Sequence, residues 1–257
     1  MNDQEFILRV TCPDSLGLVA KVSNFLNEQN LFIKDSAHYG DPITKKFFMR
    51  VKVISPNQEI KKENFDKTFS VLAEEASMNW SFHNAILKPN TTIFVSKYSH
   101  CLQDLLYRAS VDSLKINIKS VISNHPDLEK IVSDYGIPFH CIEVTKDNKS
   151  EAEMKMSKII EDDYVNLIIL ARYMQILSTD FCNKYFGKII NIHHSFLPSF
   201  KGAKPYHQAY EKGVKILGAT AHYVTSELDE GPIIEQTVDR IDHSKLPEDM
   251  EIIGRDI

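Results

Sequence analysis

The sequence is short of several things, and each shortage removes a class of protein. Its four cysteines, Cys12, Cys101, Cys141 and Cys182, stand far apart, so no CxxC pair exists to found a zinc knuckle or a disulfide framework. They are expected to be buried, apolar thiols in a reducing compartment. There is no excess of positive charge: 30 basic residues face 35 acidic ones, for a net charge of −5, and no basic stripe that would track a nucleic acid. No uninterrupted apolar run reaches membrane-spanning length, so no membrane partner is expected. The N-terminal MNDQEF has acids and no apolar core, so no signal peptide is expected and a cytoplasmic setting follows. Neither repeats nor low-complexity segments occur. What remains is ordinary globular material: 257 residues, 43% hydrophobic and 25% charged, enough for one large or two modest domains.

Two rhythms divide the chain. In residues 1–88, EFILRVT (5–11) reads as a strand. The next segment is a helix with Leu18, Val22, Phe25 and Leu26 on one face and Asp14 or Ser15 as its N-cap. Strands follow at 31–39 and 45–54, a charged helix at 60–77, and a last strand at 80–87. The order is βαββαβ, the split ferredoxin-like arrangement. After a Lys88-Pro89-Asn90 linker, residues 89–257 alternate strictly. Strands are expected at 91–97, 116–123, 138–144, 165–171 and 188–192, with helices between them. VNLIILA (165–171) is continuously apolar, as a strand covered on both faces must be. This alternation predicts an α/β fold with a doubly wound, mostly parallel, Rossmann-like sheet. A further helix and two strands follow residue 205.

In such a sheet, ligands lie beyond the carboxyl ends of the strands. The run KIINIHHSFLPSF places Asn191 and His193 at one of these ends, on one face by the period-two rule, with His194 pointing away. Pro198 and the Gly202-Ala203-Lys204-Pro205 turn would then lead the chain out of the crevice. A second polar cluster, AHYVTSELDEGP (221–232), brings His222, Thr225, Glu227, Asp229 and Glu230. An amide, an imidazole and a carboxylate suit attack on a carbonyl carbon: the imidazole moves protons and the amide stabilises the oxyanion. Each residue also has a plainer reading, with Asn191 as a turn former and Asp229 as part of a surface turn. Metal binding by the histidines has no HxH or HxxxH spacing behind it, so no metal is expected.

The segment from Asn191 through Ile234 closely resembles the formyltransferases that use formyltetrahydrofolate. In that family Asn-x-His at a strand end and the Asp of a T-x-x-L-D-x-G-P loop form the catalytic trio, which the resemblance carries over to Asn191, His193 and Asp229. ARYMQILS (171–178) resembles the family's folate-binding loop and implies that Met174, Gln175, Ile176 and Leu177 hold the substrate, with His222 supporting Asp229 or the formyl oxygen. The N-terminal unit resembles an ACT domain, and the combination is most similar to the formyltetrahydrofolate deformylases. The resemblance implies hydrolysis of 10-formyltetrahydrofolate to tetrahydrofolate and formate. That reaction supplies formate for purine synthesis and balances one-carbon folate pools. It needs no cofactor beyond the folate substrate.

The ACT resemblance further implies amino-acid effectors, glycine or methionine, and a homo-oligomer, a dimer or tetramer. Within TCPDSLGLVA (11–20), Asp14 would meet an α-amino group and Gly17 would allow close approach of the backbone; alternatively, Asp14 only caps the helix. Ribonucleotide formyltransferases of this fold hold their acceptor's phosphate in a Gly-Ser-Asn loop. The equivalent FVSKYSHCLQDLL (94–106) has no glycine from which to build a phosphate nest, which favours water as the acceptor. Transfer to an amine, or an amino-acid-sensing protein without catalysis, are the competing readings. The family pattern continues past GRDI (254–257) with more helix and a final strand; either the end here is genuinely short or a tail is left out, and part of the wall that supports the site would then be absent.

Overall fold

A computed structural model describes residues 4–55, 60–199 and 205–257; the turn expected at Gly202–Lys204 lies outside them. The chain divides into two compact units, residues 1–88 and 89–257.

In the first unit, β1 (Gln4–Pro13), α1 (Leu18–Glu28), β2 (Phe32–Gly40), β3 (Lys46–Ser55), α2 (Lys62–Glu75) and β4 (Asn79–Asn84) follow in sequence. They form an antiparallel sheet of order β2-β3-β1-β4. Alternate residues of β1 and β3, such as Leu8, Val10, Val51 and Val53, point into one core and meet α1 through Val22 and Leu26 and α2 through Phe65 and Phe69. This is the βαββαβ arrangement that the periodicity predicts. One local expectation is corrected. Neither Asp14 nor Ser15 caps α1; the helix begins after Gly17, whose φ of 83° is a left-handed entry that glycine makes without steric cost, and no side chain bonds to the helix end. The Asp14 carboxylate instead lies against Gly40, where a Cβ would come within 2.5 Å of its Oδ2.

The second unit contains β5 (Asn90–Val95), α3 (His100–Ser110), β6 (Asn117–Ser123), α4 (Glu129–Ser133), β7 (Phe139–Cys141) and α5 (Lys149–Asp162). It continues with β8 (Leu167–Leu170), α6 (Thr179–Lys184), β9 (Ile189–His193), α7 (Pro205–Glu211), β10 (Ile216–Tyr223), β11 (Ile233–Arg240) and α8 (Pro247–Asp256). The sheet order is β11-β10-β9-β8-β5-β6-β7; β9 through β7 run parallel, and β10 and β11 are antiparallel additions at one edge. The apolar strands feed two cores. Phe94, Ile168 and Leu170 point to the side covered by α5 and α6, and Ile93, Val95 and Ile169 point to the side covered by α3 and α4. Covering both faces is why these strands show no polar alternation. Strand order reverses between β5 and β8, so the switch point of this sheet lies at their carboxyl ends.

The cysteine expectation holds only for Cys12 and Cys182; Cys101 is half-buried and Cys141 is exposed, because it ends the edge strand β7. All four are free thiols. Among the described residues, no helix is long and apolar enough to cross a membrane.

Candidate active site

Across the β9–β10 pair, Asn191 stands opposite His222 and His193 opposite Thr220. Directly opposed residues share a face, so the register alone brings the amide and the imidazole of His222 together. Asn191 Nδ2 lies 3.1 Å from His222 Nε2, and His222 Nδ1 lies 2.9 Å from the Tyr223 carbonyl oxygen. A carbonyl oxygen only accepts, so Nδ1 carries the proton and donates it. Nε2 is then the acceptor for one of the two amide hydrogens of Asn191. His222, 2% exposed, therefore fixes which way the Asn191 amide faces.

The turn after β9 is held from the same strand pair. Thr220 Oγ1 donates to the Ser195 carbonyl at 2.8 Å and accepts from the Leu197 amide at 3.1 Å, next to the cis Leu197–Pro198 bond. Because β9 ends at His193, the expected alternation does not extend to His194. Its ring packs between those of His193 and Tyr206, with centroids 5.6 and 5.5 Å away, and the residue borders the cavity. Burial first, then the Arg172 guanidinium, holds His194 down at about 3, so it is neutral.

Asp229 comes from the loop between β10 and β11. A shift of register between Ala221 and His222 opens that strand pair toward the loop. Gly231 closes it: a Cβ there would lie 1.7 Å from the Tyr223 carbonyl oxygen, so only glycine fits. Asp229 has a φ of 56°, a left-handed backbone that Asp tolerates better than most residues. Its Oδ2 lies 3.4 Å from His193 Nδ1 and its Oδ1 lies 3.8 Å from His222 Nε2; the Asp229 and His193 side chains are each only 6% exposed.

The opposite wall is the 171–178 loop after β8. Ser96, at the end of β5, accepts from the Met174 amide at 2.9 Å and donates to Asn124 Oδ1 at 2.6 Å. Glu153 on α5 accepts from the Ser178 amide at 2.8 Å and from its hydroxyl. Ser178 in turn caps α6 by accepting from the Phe181 amide. Within this frame Met174, Gln175, Ile176 and Leu177 all line the cavity; Met174 and Ile176 are exposed while Leu177 is buried. Arg172, with a φ of 61°, lines it as well. A non-glycine residue held there costs on the order of 1–3 kcal/mol.

The cavity measures about 250 Å³ and brings Asn191, His193, His222 and Asp229 together with the 174–177 loop. Asp14 and Gly17 belong to the other compact unit. Sequence reasoning missed Arg172, Ser96 and Glu153. Arg172 stood inside the quoted ARYMQILS run, but nothing in its spacing separates it from a solvated charge.

The formyl transferase family matches residues 90–256. The formyltetrahydrofolate deformylase of Corynebacterium sp. (strain P-1) is 45% identical over 257 residues, covering 100% of this chain and 90% of that one. The crystal structure of the formyltetrahydrofolate deformylase from Pseudomonas syringae pv. tomato str. DC3000 superposes with a TM-score of 0.96 at 44% identity, over 100% of this chain and 86% of that one. The chain belongs to the formyltetrahydrofolate deformylases. A glycinamide ribonucleotide transformylase from Symbiobacterium toebii is 26% identical with a TM-score of 0.62 and covers 68% of this chain. The deformylase resemblance thus spans both units, and this transformylase resemblance does not.

Proposed function

We propose that this deformylase-family chain hydrolyses 10-formyltetrahydrofolate to tetrahydrofolate and formate through Asn191, His193 and Asp229. The observation that carries the mechanism is the 3.4 Å approach of Asp229 to His193 in the cavity that Asn191 also lines. Asp229 takes a proton from water as its oxygen bonds to the formyl carbon, and the carbonyl electron pair moves to oxygen. The second amide hydrogen of Asn191, the one His222 does not use, stabilises that oxyanion. Collapse then breaks the bond from carbon to N10; the proton that Asp229 took passes to His193, which delivers a proton to the departing nitrogen, and the proton left on the new carboxyl group ionises to solvent. Carbon leaves as formate, and the nitrogen leaves as the secondary amine of tetrahydrofolate. Met174, Gln175, Ile176 and Leu177 hold the pterin head, the backbone of this loop being fixed by Ser96 and Glu153.

The reaction needs no cofactor beyond the folate, and its formate serves purine synthesis and one-carbon balance in the cytoplasm. The test is incubation with 10-formyltetrahydrofolate, following both products, with and without candidate amines. Formate released regardless of amine supports hydrolysis; formylated amine with no formate overturns it.

Residues 1–88 serve on this reading as an ACT domain that binds glycine or methionine and pairs in a homodimer or tetramer. Support comes from the βαββαβ sheet, the left-handed Gly17 and a carboxylate at Asp14 that caps no helix. Activity unchanged by either amino acid, together with a monomer in sedimentation, would remove it.

A further inference from the structure

The switch point of the sheet, between the ends of β5 and β8, carries a charge that hydrolysis alone does not explain. Tyr98 and His100 follow β5, Arg172 follows β8, and Tyr206 lies close by, its hydroxyl against Gly254. The guanidinium of Arg172 rests over the Tyr98 ring, 5.0 Å from its centre. Its Nε is buried without a hydrogen-bond partner among the described residues. The nearby carboxylate of Glu251 is already engaged by Arg255 at 2.8 Å. His100 and His194, the imidazoles closest in influence, are kept neutral by burial and by Arg172 itself. An arginine with a free donor, held in a strained backbone at the crevice of an α/β sheet, is built to meet an anion.

We propose that Arg172 is a carboxylate-receiving residue and that the carboxylate it takes is the formate produced by hydrolysis. This rests on the functional reading above. The reaction turns a neutral amide and water into an amine, formate and one proton. A negative charge is thus born beside the negative charge of Asp229. Like charges held close together repel, and a cationic residue on another wall of that cavity gives the new anion somewhere to go. The same chemistry could come from the glutamate tail of the folate. The size of the site argues for formate: about 250 Å³ accepts the bicyclic head and the one-carbon unit but not a whole folate. The tail carboxylates then stay outside, whereas Arg172 belongs to the cavity wall itself.

The test titrates ¹³C-formate into the free protein and reads its line broadening, for wild type, Arg172→Ala and Arg172→Lys. Wild type is expected to bind formate, the alanine variant about ten- to a hundredfold more weakly, and the lysine variant in between. Circular dichroism checks folding, and Arg172→Met takes the place of the alanine variant if that one does not fold. Equal broadening in wild type and the charge-removed variant, or none in wild type, overturns the proposal. Calorimetry with tetrahydrofolate and with tetrahydropteroate, which lacks the glutamate, separates the two sources. If the alanine variant loses affinity only for the glutamate-bearing ligand and binds formate normally, Arg172 is a tail clamp and the formate assignment fails. Because these readouts need no turnover, a wild-type protein that binds formate through Arg172 yet releases none from 10-formyltetrahydrofolate would defeat the functional reading alone.

Discussion

Asp229 reaches back to His193, its Oδ2 3.4 Å from Nδ1, although one residue ends a strand and the other sits in the loop that follows the neighbouring strand. The carboxylate can orient the ring, accept a proton, or do both in turn. Replacing it separates these roles from binding. Asp229→Asn keeps the shape and removes the base, and kcat for formate release should fall by about 10²–10⁴. Tetrahydrofolate affinity should change little. Turnover within a fewfold of wild type would reject the assignment.

The Asn191–His222 pair makes a second prediction. Asn191→Ala removes the oxyanion donor and should lower kcat by roughly 10²–10³. His222→Ala leaves the amide present but unaligned, so its loss should be smaller. In the double variant most of the His222 effect should vanish, since there is no amide left to align. Fully additive losses, measured as kcat/KM, would show that His222 acts on its own account.

Gly231→Ala tests the geometry of the loop without touching a polar group. A methyl placed 1.7 Å from the Tyr223 carbonyl forces the β10–β11 junction apart. Activity should drop together with stability, and by differential scanning calorimetry the midpoint should fall by several degrees, since about 1 kcal/mol shifts a unit of this size by roughly 2–4 °C. An unchanged midpoint with full activity would show that the loop position is not set by this contact.

The half-buried His194 predicts a pH dependence of stability. It titrates at about 3 in the folded protein, whereas an unfolded chain takes up that proton near about 6.5. Its contribution is therefore complete above the higher value and is lost as pH falls toward the lower one. His83 and His100 are lowered by burial in the same sense, so His194→Gln should flatten the decline without abolishing it. Urea midpoints between about pH 7 and about pH 4.5 measure this, and identical slopes for the two proteins would count against it.

Much of this architecture is legible in the residues because covered strands leave no room for polar side chains. VNLIILA announces a central strand by itself, and the Asn-x-His spacing at the end of the next strand announces where to look for chemistry. Other features depend on contacts that a linear reading does not contain. The α1 boundary is set by the left-handed Gly17, against the stronger capping preference of Asp14 and Ser15. Cys141 is exposed because β7 falls at the sheet edge, a matter of strand order. His222 becomes an amide clamp only through the register between β9 and β10. Arg172 carries no mark at all until β5 and β8 are laid side by side.

The pairing of Asn191 with His222 and of His193 with Thr220 also bears on how such a chain can change over time. Strand geometry reverses facing at each step, so deleting or adding one amino acid within Ile189–His193 or Ile216–Tyr223 would turn every functional group there away from the substrate at once. Single replacements elsewhere erode the site gradually, whereas a frame change in either ribbon has no mild version. Length variation among descendants of this chain should accordingly collect in the connecting segments and spare these two.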